Sequence, residues 1–353
     1  MNAPDVVDVV ALGESMVTFL PTRPGRLADV PSFERGIGGA ESNVACALAA
    51  AGHSVRWISR VGADGFGDHL VEAIGGYGVD VSAVRRDSSR PTGVYFRTAG
   101  ERGTVAHEVA YYRAGSAASA MSVANVDLVP SRVLHLSGIT AALSGSCLEL
   151  MRELTAPRAG RPLVSFDVNH RPDLWRDAEG AGVVLELARR ADVVFVGEDE
   201  AGEAWGVSGG PEGVRDALPE PGVLVVKQGD RGATAFVSSA ARRGLVAQFP
   251  APLGSVTFAP ALEVDVVATT GAGDAFAAGF LSATLRELPV RERLRHAHLW
   301  AAAALTTPGD LAVPPSRAHA DRLAALDDDA WGRLRLGPGW TQADRAPEEV
   351  RTP

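Results

Sequence analysis

The sequence predicts an α/β protein, with a mostly parallel central sheet, helices packed on it, and a small β lid. Apolar runs of strand length recur at Val6 to Leu12, Val133 to Ser137, Leu163 to Val168, Val193 to Val196 and Val223 to Val226. They are continuous rather than alternating, as expected of strands buried on both faces. Most lead into a polar or glycine-rich turn and then a helical pattern, which is the rhythm of a parallel sheet. The lid rests on a break in that rhythm. Residues 91–114 carry two β-rich runs, Thr92 to Arg97 and Val105 to Arg113, joined by Ala99 to Gly103 with no helix between them. Residues 15–35, irregular and rich in Pro, Gly and Arg, are placed with them.

Composition narrows the function. The 353 residues are 46% hydrophobic and 22% charged, with a net charge of −9. That balance is ordinary for a soluble globular chain and offers no attraction to nucleic acid or an anionic membrane. Cys46 and Cys147 lack metal-ligand spacing and read as buried apolar residues of a reducing cytoplasm. Met1 to Asp8 does not read as a signal peptide, and no apolar run is long enough to span a membrane. One domain is expected over residues 1–336, followed by a disordered tail over 337–353.

Taken in order, the strand at Val6 to Leu12 ends at Gly13-Glu14. Ligands collect at the carboxyl ends of strands in such sheets, so Glu14 is either a surface residue or a group pointing into a site. Gly36 to Ala45 then runs through Gly38 and Gly39 into an Ala-rich helix that ends at Gly52. The glycines let a ligand approach the backbone, and Glu41 and Asn43 offer polar groups on the first turn. A strand at Ser54 to Val61 precedes a helix opened by Gly62 to Asp68. At the end of the lid hairpin, alternation puts Tyr111 and Arg113 on one face, either as lid packing or as a pair suited to an anionic, hydroxylated ligand. A helix near Gly145 to Thr155 follows the next strand. Leu163 to Val168 ends in Asp167-Val168-Asn169-His170-Arg171-Pro172, where the polar groups must meet each other or a ligand. Val223 to Val226 ends at Lys227, the only lysine in the chain, followed by Gln228 and Gly229. Ala233 to Val237 is a neighbouring strand.

The most informative stretch is Thr269-Thr270-Gly271-Ala272-Gly273-Asp274-Ala275-Phe276. A strand over Val264 to Thr270 breaks at two glycines into a helix over about 274–287, with a second helix over about 291–305. Backbone amides at a helix start make an anion site. Asp274 there is either a first-turn carboxylate that stabilises the dipole or a reacting group. The lysine is followed by Gln228, so the Gly-Lys-Ser/Thr of a Walker loop is absent. Phe276 likewise occupies the third glycine position of a dinucleotide fingerprint. An anion pocket containing a carboxylate suits phosphoryl transfer, with amides stabilising the transferred group and Asp274 accepting a hydroxyl proton.

These stretches resemble the ribokinase-like (PfkB) carbohydrate kinases over about residues 6–315, through Gly-Gly-Ala-Glu-Ser-Asn-Val-Ala at 38–45 and Thr-Thr-Gly-Ala-Gly-Asp-Ala-Phe at 269–276. The resemblance implies a ribokinase-like three-layer sandwich with the lid attached, and ATP and Mg²⁺ as phosphate donor and ion. It implies Gly271, Ala272 and Gly273 as the anion hole, Asp274 as the base, and Lys227 and Gly229 at the nucleotide edge. The family's Asn-x-x-Glu motif aligns with Gly197 to Glu200. Glu200 matches and is implied to reach the metal through water, while Gly197 replaces the Asn. Ala268 replaces the Asp that usually precedes Thr-Thr-Gly.

Within the family, several stretches resemble 2-keto-3-deoxygluconate kinases. These are Gly13-Glu14, Pro91 to Tyr95, Tyr111 to Ser119, His135 to Ile139, Asp167 to Arg171 and Leu174-Trp175. The resemblance implies that Arg113 and Arg171 meet a sugar-acid carboxylate, while Gly38, Gly39, Asn43, Tyr95 and Tyr111 orient its hydroxyls. A homodimer formed through the lid is also expected by resemblance. Other sugar kinases of the family, or a non-catalytic relative that binds sugar or nucleotide, remain alternatives at this stage.

Overall fold

The computed structural model describes residues 6–98, 108–175, 179–238 and 254–342. The chain opens with β1 (Val7–Leu12), crosses to β2 (Met16–Pro21) and β3 (Phe33–Gly38), and returns through α1 (Ala40–Ala50) to β4 (Val55–Ile58). Then come β5 (Arg60–Gly62), α2 (Gly65–Gly76), β6 (Arg85–Asp87), β7 (Val94–Arg97) and β8 (Val109–Tyr112). The βα rhythm resumes with β9 (Ser131–Ser137), α3 (Gly138–Ala142), α4 (Gly145–Thr155), β10 (Leu163–Asp167) and α5 (Gly180–Arg190). It continues through β11 (Val193–Gly197), α6 (Glu198–Trp205), α7 (Gly210–Ala217) and β12 (Val223–Lys227). The last elements are β13 (Gly232–Val237), β14 (Val256–Pro260), β15 (Glu263–Val264), α8 (Ala272–Leu285) and α9 (Val290–Leu305). After them come α10 (Arg317–Ala324), α11 (Asp328–Gly332) and β16 (Arg335–Leu336).

Eight strands form the main sheet in the order β14-β13-β12-β11-β10-β9-β1-β4. The pairs from β4 to β12 are parallel, and the β12–β13 and β13–β14 pairs are antiparallel, so β13 alone runs against the rest. Side chains alternate between two apolar layers, as a period of two requires. Val9, Ala11, Val193 and Phe195 pack with α1, α8 and α9, whereas Val10, Leu12, Val194 and Val196 pack with α4 and α5. This is the expected three-layer sandwich. Phe195 meets Phe276 and Phe280 edge to face, at centroid distances of 6.5 and 5.4 Å. Aromatic pairs of this kind add about 0.5–1.5 kcal/mol each beyond area burial, and here they fix the first turns of α8 against the sheet.

The lid forms a separate four-stranded sheet in the order β3-β2-β7-β8. Its β2–β3 and β7–β8 pairs are antiparallel and its β2–β7 pair is parallel. Alternation turns Tyr95 toward the body of the protein, while Phe96 stacks on Phe19 at 4.7 Å on the opposite face. The expected joining segment, Ala99 to Gly103, lies outside the described residues.

Two expectations are corrected. The β-branched run from Val264 to Thr270 is a strand only at its first residue, where β15 pairs with β16. Beyond it the backbone turns to α9, and the Val267 and Ala268 amides donate to the Leu305 carbonyl at 2.7 and 3.3 Å. The end of a helix therefore takes the hydrogen bonds that a sheet would have supplied. Ordered packing also passes residue 336, because Trp340 is buried against the ring of His319. The remainder of the expected tail, 343–353, lies outside the described residues. Among the described residues, no helix is long and apolar enough to cross a membrane.

Candidate active site

Helix α8 starts where the chain reverses at Gly271, whose φ of 79° is left-handed and favours glycine. A Cβ at this position would come within 2.1 Å of the Asp310 carbonyl oxygen, so a side chain is excluded sterically as well. The helix start opens onto a cleft of about 1210 Å³ between the sheet edge and the lid. Its first-turn amides and the positive end of its dipole are a natural anion site.

Asp274 sits on that first turn and is half-buried. Its Oδ2 accepts a hydrogen bond from Asn43 Nδ2 at 2.8 Å, which ties α8 to α1. Burial pushes its pKa up to about 7; the Asn43 hydrogen bond opposes this, Asp167 adds to it, and Lys227 pulls the other way. A carboxyl poised there is ionised often enough near neutrality to take a proton and is basic enough to hold it.

Lys227 ends β12 beside Asp167, which ends β10, and Nζ donates to Oδ1 at 3.2 Å. Burial works against the lysine charge, but Asp167, Glu200 and Asp274 outweigh it and raise its pKa. The ammonium lies 3.6 Å from where a Cβ on Gly273 would stand, so an anion at the helix start would meet both amides and a cation. Glu200 holds the neighbouring loop in place. Its Oε1 accepts from the His170 amide at 2.5 Å and its Oε2 from the Gly197 amide at 3.0 Å, capping α6.

On the lid side, Arg113 makes an ion pair with Glu14, which also accepts from Ser116 Oγ. Glu14 is 2% exposed, so it is not a surface residue, and it lies outside the cleft wall that its partner Arg113 lines. Tyr95 donates its hydroxyl to Asp310 Oδ2, and Arg97 donates to Oδ1 at 2.7 Å. Gly38 fits beneath this group, since a Cβ there would lie 2.5 Å from the same Asp310 oxygen. Arg171, exposed on the loop after β10, gives a hydrogen bond to the His170 carbonyl at 3.0 Å. Among the described residues it makes no ion pair.

The cleft brings together Gly38, Gly39, Asn43, Tyr95, Tyr111, Arg113, Arg171, Glu200, Lys227, Gly271, Gly273 and Asp274. Ala272 and Gly229 are not in its wall. Ala272 is the first helical residue behind the turn, and Gly229 is exposed where a φ of 61° turns the chain away from Lys227. Sequence reasoning missed Asp310, which lines the cleft, and its partner Arg97. Nothing near either in sequence marks them, because they meet across 213 positions of chain.

A profile of the pfkB family carbohydrate kinases matches residues 7–317. The chain belongs to that family. Among curated pfkB relatives, the 2-dehydro-3-deoxygluconokinase of Bacillus subtilis is 34% identical over 88% of this chain and 93% of its own. A probable chloroplastic fructokinase of Arabidopsis thaliana is 30% identical over 87% and 79%. Among solved structures, a PfkB protein from Polaromonas superposes with a TM-score of 0.76 at 34% identity, covering 90% of this chain and 99% of that one. A putative ribokinase II from Escherichia coli, in complex with ATP and Mg²⁺, shares the fold with a TM-score of 0.76 at 21% identity, over 90% and 98% of the two chains. The protein is thus a sugar kinase, a phosphotransferase with an alcohol acceptor.

Proposed function

We propose that this pfkB kinase transfers the γ-phosphoryl group of ATP to the terminal hydroxyl of 2-keto-3-deoxygluconate, giving the 6-phosphate. The observation that carries the reading is one cleft holding Asp274 at a helix start together with Arg113 and Arg171 across from it. Asp274 accepts the proton of the attacking hydroxyl as the new oxygen–phosphorus bond forms. The bond from the γ-phosphorus to the bridging oxygen breaks, and ADP leaves with that electron pair. Amides at Gly271 to Gly273 and the Lys227 ammonium stabilise charge on the transferred group. Gly229 borders the nucleotide outside the cleft wall. Asn43 holds Asp274 toward the acceptor, and Tyr95, Tyr111 and the backbone at Gly38 and Gly39 orient its hydroxyls.

The donor set fits Mg²⁺ carried mainly by nucleotide phosphates. Among the described residues no three His, Cys, Asp or Glu side chains cluster as ligands, and Mg²⁺ commonly keeps several waters. Glu200 is the carboxylate that would reach it, through water. When bound, the ion neutralises charge on the phosphates.

A neutral hexose such as fructose is the second reading, favoured by the fact that Glu14 already neutralises Arg113. ADP release by purified protein, measured across sugar acids and neutral sugars, separates the two. The keto-deoxy acid is expected to turn over fastest; faster turnover of fructose would overturn the acid assignment, and no ADP with any acceptor would favour a non-catalytic binding protein. The aromatic outer face of the lid, with Phe33, Phe96 and an exposed Tyr112, supports a homodimer through that face. Light scattering is expected to give twice the chain mass, and a monomer would remove the proposal.

A further inference from the structure

Asp310 puts a carboxylate in the wall of a cleft proposed to admit an acid, and an uncompensated negative charge there would repel one. The residue that cancels it comes from the lid. Arg97 closes β7 and pairs with Asp310 at 2.7 Å, the two side chains only 9% and 3% exposed. Solvent screens so buried a pair weakly. Arg97 is not in the cleft wall and stands behind Asp310, two residues along the strand from Tyr95, which holds the other carboxylate oxygen. Asp167, also in the wall, is paired with Lys227, while Asp173, Glu200, Glu203 and Asp274 are further acidic residues of the wall, so one more uncompensated charge at Asp310 would weigh against an acid. Of the two arginines in the wall, Arg113 is paired with Glu14, and Arg171 makes no ion pair among the described residues.

We infer that Arg97 is a specificity-determining residue that acts through Asp310. By neutralising that carboxylate from behind the wall it admits an anionic acceptor, and without it the cleft favours a neutral sugar. The inference rests on the sugar-acid reading. Wild type is therefore assayed first on 2-keto-3-deoxygluconate and fructose; a preference for fructose there contradicts the acid reading before any variant is made. In Arg97→Gln the ratio of kcat/KM for the acid to that for fructose falls by about fivefold or more, carried by KM for the acid. Arg97→Lys, which keeps the charge, holds the ratio within about twofold of wild type. Arg97→Gln combined with Asp310→Asn removes both charges and restores the ratio.

Removing one partner of a buried pair can prevent folding. If Arg97→Gln does not fold, Asp310→Asn decides, because the arginine left without its carboxylate raises the ratio. An unmoved ratio in whichever of these variants folds would overturn the inference. So would an equal loss on both acceptors, the result of a merely structural strap.

Discussion

The two walls of the cleft are built in different ways. On the α8 side, the parts proposed to meet phosphate come from one short stretch, Gly271 to Asp274, with Lys227 alongside and one hydrogen bond from Asn43 fixing the carboxylate. On the lid side, no short stretch suffices. Glu14 meets Arg113, and Arg97 meets Asp310, across long spans of chain. The chemistry is written locally because helix geometry delivers amides and dipole together. The proposed acceptor side is written in pairs of charges that only the fold assembles, which would leave room to change the sugar without touching the phosphate.

That contrast makes graded predictions. Asp274→Asn breaks the α8 side outright, lowering kcat by about 10³-fold or more while acceptor binding, followed by calorimetry, persists. Retention of substantial turnover would remove Asp274 as the base. Gly271→Ala forces a Cβ against the Asp310 carbonyl and strains a left-handed turn, so kcat falls by about 10²-fold through misplaced amides. A variant with wild-type kinetics would mean that the turn is not the anion hole.

On the lid side the effects are smaller and specific to the acceptor. Arg171→Ala raises KM for the sugar acid about tenfold and leaves fructose nearly unchanged, as steady-state kinetics on both would show. Glu14→Gln frees the Arg113 charge and improves the acid over fructose about threefold. A shift of the same size on fructose would instead point to Glu14 as a packing residue.

The parallel strands and the α8 turn were legible because their signals are local: continuous apolar runs, glycines at a reversal, an acid on the first turn. Glu14 stays ambiguous in the sequence because its partner Arg113 lies 99 positions away, just past the end of β8. Asp310 and Arg97 were invisible for the same reason. The run from Val264 to Thr270 misled in the opposite sense, since β-branched composition marks strand propensity whereas the Leu305 carbonyl decided where the amides went. Trp340 shows that a polar, proline-containing tail can still deliver a buried anchor.

The Asp274 carboxyl, raised by burial to about 7, is proposed to take the acceptor's proton. A group with a raised pKa is protonated, and so useless as a base, over a wider acidic range than an ordinary carboxyl. The direct measurement is kcat at saturating nucleotide and acceptor from pH 5.5 to 8.5. The expected result is a rate that falls about tenfold per pH unit below an inflection near 7 and levels off above it. A rate that stays flat down to pH 5.5 would contradict the assignment of Asp274 as the general base.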